Sequence, residues 1–175
     1  MDAYTDIWDY ATDHHGIITT KEAERLGITK QHLVKMADRG ALCRLGRGVY
    51  QVKHHVFSEL DSFVNAVAVV GESAYLMGAS VIAMFGLCPT NPSVVYVGSA
   101  KRVRRRLPPN IRLHDMRPCT TVLYDGIRSE SVYEALRTAK LGGAIEDERI
   151  ASAAMKALEK GLVTDEQSSE FQNKS

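Results

Sequence analysis

Residues 17–52 read IITTKEAERLGITKQHLVKMADRGALCRLGRGVYQV, and this stretch decides the fold of the first part of the chain. Thr19 is followed three residues later by Glu22, which is the spacing of a capping box. The pair predicts a short helix over residues 21–26. Gly27 then ends this helix, because the residue after a helix often adopts a positive φ that a Cβ atom opposes.

A second helix is predicted directly after the first. Thr29 is a favourable N-cap residue, and the helix is expected from about Lys30 to Arg39, with Gly40 following its end. Ile28 is expected to fill the turn between the two helices. Two short helices joined by a tight turn that contains glycine indicate a helix-turn-helix.

The second helix has two chemically different faces. Leu33, Met36 and Ala37 recur at helical spacing and are expected to face the core. The opposite face carries the polar and small side chains Lys30, Gln31, Val34, Lys35 and Asp38. Such a face suits a DNA major groove: Gln can pair with adenine, Lys can reach guanine or phosphate, and Val can touch a thymine methyl group.

Two short strands are predicted after Gly40, over residues 42–45 and 49–52, around the turn Gly46-Arg47-Gly48. This hairpin is the wing of a winged helix-turn-helix. Arg47 lies at its tip and Arg44 lies on the first strand, so both cations are placed for a phosphate or the minor groove. The alternative is that these cations and the lysines of the helix only form a solvated surface.

This stretch resembles the N-terminal winged-helix domain of the AbiEi family, which comprises antitoxins of type IV toxin-antitoxin systems and related transcriptional regulators. The resemblance covers about the first third of the chain, and the remainder is similar only in layout. The residues that carry it are Gly16, Ile18, Thr19, Ala23, Gly27, Ile28, Thr29, Leu33, Gly40, Leu42, Arg44, Arg47, Gly48, Val49 and Tyr50.

The resemblance implies a sequence-specific DNA-binding protein without catalytic activity. It implies repression of the protein's own operon at inverted repeats in double-stranded promoter DNA. It also implies a nucleotidyltransferase toxin as functional partner, which the C-terminal domain neutralises and with which it need not form a stable complex. The alternatives are a stand-alone regulator without a toxin and an RNA-binding protein. The predicted DNA-contacting residues are Thr29, Lys30, Gln31, Val34, Lys35, Arg44 and Arg47.

Charge is strongly segregated along the chain, although the net charge is only +1. Residues 17–56 hold eight Lys and Arg against three acids, and residues 98–117 hold seven against one. Residues 1–16 and 118–175 are net acidic. Basic regions on an otherwise balanced chain are typical of a nucleic-acid binder.

The densest positive charge lies between two predicted strands, at Lys101, Arg102, Arg104, Arg105 and Arg106. One interpretation is a solvated hairpin loop. A second is an additional phosphate-contacting surface, and a third is a surface for RNA or for a toxin. No aromatic residue is interleaved with these cations, which disfavours stacking on single-stranded bases.

The predicted fold class is α+β. A winged helix-turn-helix domain is expected over residues 1–54, and a C-terminal domain of a small antiparallel sheet and several helices over residues 57–175. Residues 72–76 are expected to form an extended link. The strands of the second domain are predicted at residues 93–97, 111–114, 120–124 and 127–128. Its main helices are predicted at residues 59–70, 78–85, 132–141 and 147–160.

Patterns for other functions are missing from the sequence. It has no GxSxG, HExxH, P-loop or GxGxxG motif, and the acids at residues 146–148 are interpreted as complementing a helix dipole. Three cysteines without CxxC spacing predict neither disulfides nor zinc, and no cofactor is expected. The acidic N-terminus and the short apolar segments predict a cytoplasmic protein that has no signal peptide and no membrane partner.

Overall fold

The structure is a computed structural model that describes residues 2–91 and 93–172. The chain forms two compact units, Met1–Val69 and Val70–Ser175. Helices and strands occur in both, which confirms the α+β class. The predicted domain limits, 54 and 57, stay a prediction; the compact units divide later, after Val69, so nearly all of the helix that follows the wing belongs to the first unit.

The first unit contains the predicted helix-turn-helix and its wing. Its elements are α1 (Ala3–Thr12), β1 (Ile17–Thr19), α2 (Thr20–Arg25), α3 (Lys30–Asp38), β2 (Leu42–Gly46), β3 (Val49–Val52) and α4 (Asp61–Val70). The apolar face of α3 packs into a core made by α1, α2 and the sheet. The buried members of this core are Ile7, Ala11, Ile18, Ala23, Ile28, Leu33, Met36, Leu42, Tyr50 and Val52.

The start and end of α2 confirm the predicted local structure. The Thr19 side chain accepts from the Glu22 backbone at 3.3 Å, and the Glu22 carboxylate accepts from the Thr19 backbone at 2.8 Å. Gly27 has a φ of +77°, and nothing lies within 4 Å of the position its Cβ would take. Glycine is therefore favoured here by the positive φ of the turn and not by a lack of space for a side chain.

Three antiparallel strands form the sheet of the first unit, in the order β1-β3-β2. The wing strands β2 and β3 were predicted, whereas β1 was not. Ile18 pairs with Tyr50 on one side of β3, and Arg44 pairs with Tyr50 on the other. Three residues are too short for an alternating pattern to indicate a strand, so β1 exists because β3 offers it a free edge.

The second unit combines a five-stranded sheet with helices. Its elements are β4 (Ala74–Leu76), α5 (Ala79–Met84), β5 (Val95–Ser99), β6 (Ile111–His114), β7 (Val122–Tyr124), β8 (Ile127–Ser129), α6 (Val132–Leu141), α7 (Asp147–Glu159) and α8 (Asp165–Ser169). The predicted helices at 78–85, 132–141 and 147–160 are confirmed to within one or two residues. The extended link expected at 72–76 is instead strand β4.

The sheet of the second unit is mixed, and the expectation of a small antiparallel sheet was wrong in this detail. The strand order is β6-β5-β4-β8-β7, in which β5 pairs with β6 and β4 with β8 in parallel. Strands β4 with β5, and β7 with β8, are antiparallel. Because β5 and β6 run in parallel, residues 100–110 form a crossover connection and not the hairpin loop considered from the sequence.

Candidate nucleic-acid interface

Helix α3 presents the predicted polar face to solvent. Lys30, Gln31 and Lys35 are exposed, and Val34 is 38% exposed. Leu33, on the opposite face, is completely buried. The amphipathic division of α3 is therefore as the sequence predicted, and the side chains that could contact base edges are accessible.

The N-terminus of α3 is fixed by Thr29, whose side chain accepts a hydrogen bond from the His32 backbone at 3.2 Å. The hydroxyl oxygen accepts in this bond, so Thr29 can still donate its hydroxyl hydrogen to DNA. His32 is also exposed on the first turn of α3, and it is not among the residues predicted to contact DNA. Its only sequence signal is its position two residues after the start of the helix.

The wing places two arginines near its turn. Arg47 is exposed at the tip, and Gly48 beside it has a φ of +73°. The exposed Arg44 donates from Nε to the carbonyl oxygen of Gly46 at 3.3 Å, which holds its guanidinium close to the turn. Both cations are thus at the end of the β2–β3 hairpin.

The wing turn is tied to the first residue of α2. The Thr20 backbone N–H donates to the Gly48 carbonyl at 2.9 Å, and the Thr20 hydroxyl donates to the same oxygen at 3.4 Å. Thr19 pairs with Val49 immediately beside this contact. The position of Arg47 relative to the helix-turn-helix is therefore set by backbone hydrogen bonds, which the sequence pattern did not reveal.

Comparison with known protein families finds a match that covers these features. Residues 9–53 match the family described as "Transcriptional regulator, AbiEi antitoxin". The match runs from within α1 to the residue after β3, so it includes both helices of the AbiEi-type motif and the wing. The matched family is one of transcriptional regulators and antitoxins.

Other comparisons add less to the AbiEi match. No curated protein matches the chain. The crystal structure of the RV2827C protein from Mycobacterium tuberculosis is similar at 12% sequence identity and a TM-score of 0.39, covering 98% of this chain and 81% of that chain. Among the described residues, no helix is both long and apolar enough to cross a membrane.

Outside the AbiEi-type region, the basic residues of the crossover form a second exposed surface. We call Lys101, Arg102, Arg104, Arg105 and Arg106 the basic segment; all five side chains are exposed. Its backbone is held at two points. The buried Ser99 hydroxyl donates to the Lys101 carbonyl at 2.8 Å, and the Asp115 carboxylate accepts from the Val103 N–H at 3.3 Å.

A buried carboxyl group lies elsewhere in the second unit. Glu130 is 1% exposed and accepts from the Gly78 N–H at 2.9 Å and the Thr138 hydroxyl at 3.0 Å. Arg117 Nη2 lies 3.6 Å from Glu130 Oε1. Burial raises the pKa of Glu130, although these three partners oppose the rise. The Glu130 carboxyl group therefore links the β4–α5 connection to α6 and has a structural role.

The neighbours of Glu130 are not activated for nucleophilic chemistry. Burial raises the pKa of the Cys119 thiol, and the charge of Glu130 adds to the rise. Burial likewise raises the pKa of Tyr75 to about 12. Both groups are therefore protonated at neutral pH, and a thiol is a much weaker nucleophile than a thiolate. In the described ranges, no group of three or more His, Cys, Asp or Glu residues is placed to hold a metal ion.

Proposed function

We propose that the protein binds double-stranded DNA in a sequence-specific manner and represses transcription from its own promoter. The observation that carries this proposal is the exposed outer face of α3 beside a wing that Thr20 and Gly48 fix in place. A major groove accepts a helix of this kind, and the wing adds a phosphate or minor-groove contact.

In the proposed complex the residues of α3 divide into two groups. Gln31 pairs with an adenine edge and Val34 touches a thymine methyl group, so these two set sequence preference. Thr29, Lys30 and Lys35 contact phosphates or guanine. From the wing, Arg44 and Arg47 bind the phosphate backbone of the DNA. These contacts position α3 but do not select a sequence.

The family match supports a further proposal, that the chain is the antitoxin of a type IV toxin-antitoxin system in the cytoplasm. Its partner would be a nucleotidyltransferase toxin, which the second unit neutralises and with which it need not form a stable complex, while the first unit acts on inverted repeats in the promoter. A stand-alone regulator is the second candidate, because the match ends at residue 53 and leaves the second unit unmatched.

The DNA-binding proposal is tested with single variants of α3. Gln31→Ala should weaken operator binding by about 5- to 150-fold, which corresponds to the ~1–3 kcal/mol of a good base contact. Lys30→Ala and Lys35→Ala should mainly lower the slope of log K against log salt concentration, by about 1 each. Fluorescence anisotropy with the promoter fragment and with a scrambled duplex measures both quantities.

Lys156→Ala is the matched control, because Lys156 is exposed on α7 in the second unit. It should bind both duplexes as the wild-type protein does. Circular dichroism verifies that each variant is folded. Wild-type affinity and salt slope in all three α3 variants would refute the proposed interface.

The antitoxin proposal has a separate test in cells. The adjacent reading frames are searched for a nucleotidyltransferase, and an enzyme found there is expressed alone and together with this chain. Restored growth on co-expression is the expected result, and Gln31→Ala should still restore it, since neutralisation belongs to the second unit. Absence of such a reading frame, or of rescue, would favour the stand-alone regulator.

A further inference from the structure

The basic segment is the largest concentration of like charge outside the proposed DNA-reading face. Residues 98–117 hold seven Lys and Arg against one acid, Asp115. That acid accepts from the Val103 backbone. The two cations outside the basic segment are engaged within the second unit: Arg112 donates to the Pro109 carbonyl at 2.9 Å, and Arg117 lies against Glu130. The basic segment itself retains its charge at the surface.

Several cations of the segment are available to a ligand. Within the described part of the chain, no ion pair or side-chain hydrogen bond engages the charged groups of Lys101, Arg102, Arg104 or Arg106. Arg105 differs, since it has an interaction of its own and its Nη2 lies 3.8 Å from the position of a Cβ on Gly71. The exposed arginines can therefore present their guanidinium donors to an anionic partner.

Hydrogen bonds hold the backbone at the start of the basic segment, at Lys101 and Val103. Ser99 bonds both the N–H and the carbonyl of Lys101, and Asp115 bonds the N–H of Val103. Pro108 and Pro109 stiffen the chain where it leaves the segment. Less conformational entropy is lost on binding when the contacting segment is already ordered.

The chemistry of the exposed surface selects among anionic partners. Val103 and Leu107, the apolar residues within 101–107, are half-buried, so the exposed face of the basic segment itself offers cations without an apolar anchor. A protein interface usually has an aromatic or aliphatic core, and single-stranded nucleic acid is usually held by stacking on aromatic rings. Neither feature is present in this stretch. A regular array of phosphates needs only the cations.

We propose that the basic segment is a second, sequence-independent binding surface for the phosphate backbone of duplex DNA. The choice of duplex DNA rests on the proposed function of the first unit. A second site on the same chain raises the overall affinity when both surfaces engage one duplex. The two surfaces make different contributions, since α3 selects the sequence and the basic segment adds salt-sensitive affinity for any duplex.

The test uses the full chain and the double variant Arg104→Ala/Arg106→Ala. Anisotropy is measured over a salt series with the promoter duplex, a scrambled duplex and a single-stranded RNA of the same length. The slope of log K against log salt should fall by about 0.9 for each lost phosphate contact, equally on both duplexes. The ratio of promoter to scrambled affinity should stay constant. Arg104→Lys/Arg106→Lys should keep the wild-type slope.

Lys140→Ala/Lys156→Ala is the control for net charge, because it also removes two cations from the second unit and should leave the slope unchanged. An unchanged slope in the Arg104/Arg106 variant, or a loss restricted to the RNA, would overturn the proposal. Failure of the proposed function looks different. In that case the α3 variants bind normally, and the promoter and scrambled duplexes bind equally in the wild-type protein.

Discussion

The two units of this protein differ in how far apart along the chain their contacting segments lie. In the first, β2 and β3 form a hairpin, and α2 and α3 are joined by a turn of a few residues. In the second, β4 is the central strand of its sheet and pairs with β5 and with β8, which lies some fifty residues further along. The predicted motif of the first unit is therefore built from segments that are neighbours in the chain, with the β1–β3 pairing as an exception, while the central pairing of β4 with β8 joins distant segments of the second.

Two glycines illustrate the difference between a local and a long-range requirement. Gly27 in the first unit has a positive φ and open space around it, so it serves the turn at its own position. Gly98 on β5 has no such φ. A Cβ there would lie 2.3 Å from Cζ of Tyr75, a fully buried ring on the neighbouring strand β4. Glycine is therefore required at this position because of a residue more than twenty positions away in the chain.

The largest effect is expected from Leu33→Ala in α3. Leu33 is completely buried, and removing such a side chain costs ~2–5 kcal/mol because a cavity remains. Val34→Ala, on the exposed face one residue later, should cost no more than about 0.5 kcal/mol. Urea unfolding followed by circular dichroism measures both. Equal losses in the two variants would show that the faces of α3 are wrongly assigned.

An intermediate effect is expected from Gly98→Ala, since a methyl group must displace the Tyr75 ring or the strand. Overpacking of this kind costs ~1–3 kcal/mol. Gly27→Asn is the comparison, because asparagine tolerates a positive φ and no atom obstructs its Cβ; its cost should stay below about 1 kcal/mol. Thermal unfolding measures the pair. A costlier Gly27→Asn would contradict the distinction between local and long-range requirements.

The smallest effect is expected in the pH dependence of stability. The pKa of Glu130 is raised above its ordinary 4.5 by burial, so the folded state binds this proton more tightly than the unfolded state. The stability that the protonated group contributes is fully present below pH 4.5 and is lost as pH rises through the folded pKa. Glu130→Gln should remove this loss, and urea unfolding at several pH values should show a flatter profile.

Arg137→Gln serves as the reference for that experiment, because Arg137 is exposed and pairs with Glu134 on the surface of α6. Its profile should follow that of the wild-type protein. If Glu130→Gln retains the wild-type dependence on pH, then Glu130 is not the group whose proton is bound more tightly in the folded state.

Much of the first unit could be predicted from its sequence, because its signals act within one helical turn. Thr19 with Glu22, and Thr29 with the backbone of His32, form the expected caps. The outward face of α3 follows from the spacing of Leu33 and Met36. The missed strand β1 has no pattern of its own, since it depends on pairing with β3.

The second unit was predicted in its elements but not in their arrangement. Residues 72–76 contain no alternation that marks a central strand, and only pairing with β5 and β8 makes them one. The same holds for the basic segment, whose residues are visible in the sequence. That they occupy a crossover pinned by Ser99 and Asp115 follows only from the parallel pairing of β5 and β6.

The sequence by itself determined where the helices of the winged motif begin and end, which face of α3 is polar and where positive charge is concentrated. These properties depend on side chains and backbone groups a few residues apart. Three features were decided by the tertiary structure alone. Thr20 holds the wing turn at Gly48, β4 is the central strand of its sheet, and Gly98 must lack a side chain because the Tyr75 ring packs against it. Such contacts join distant residues, and a local pattern does not specify which distant partner a segment meets.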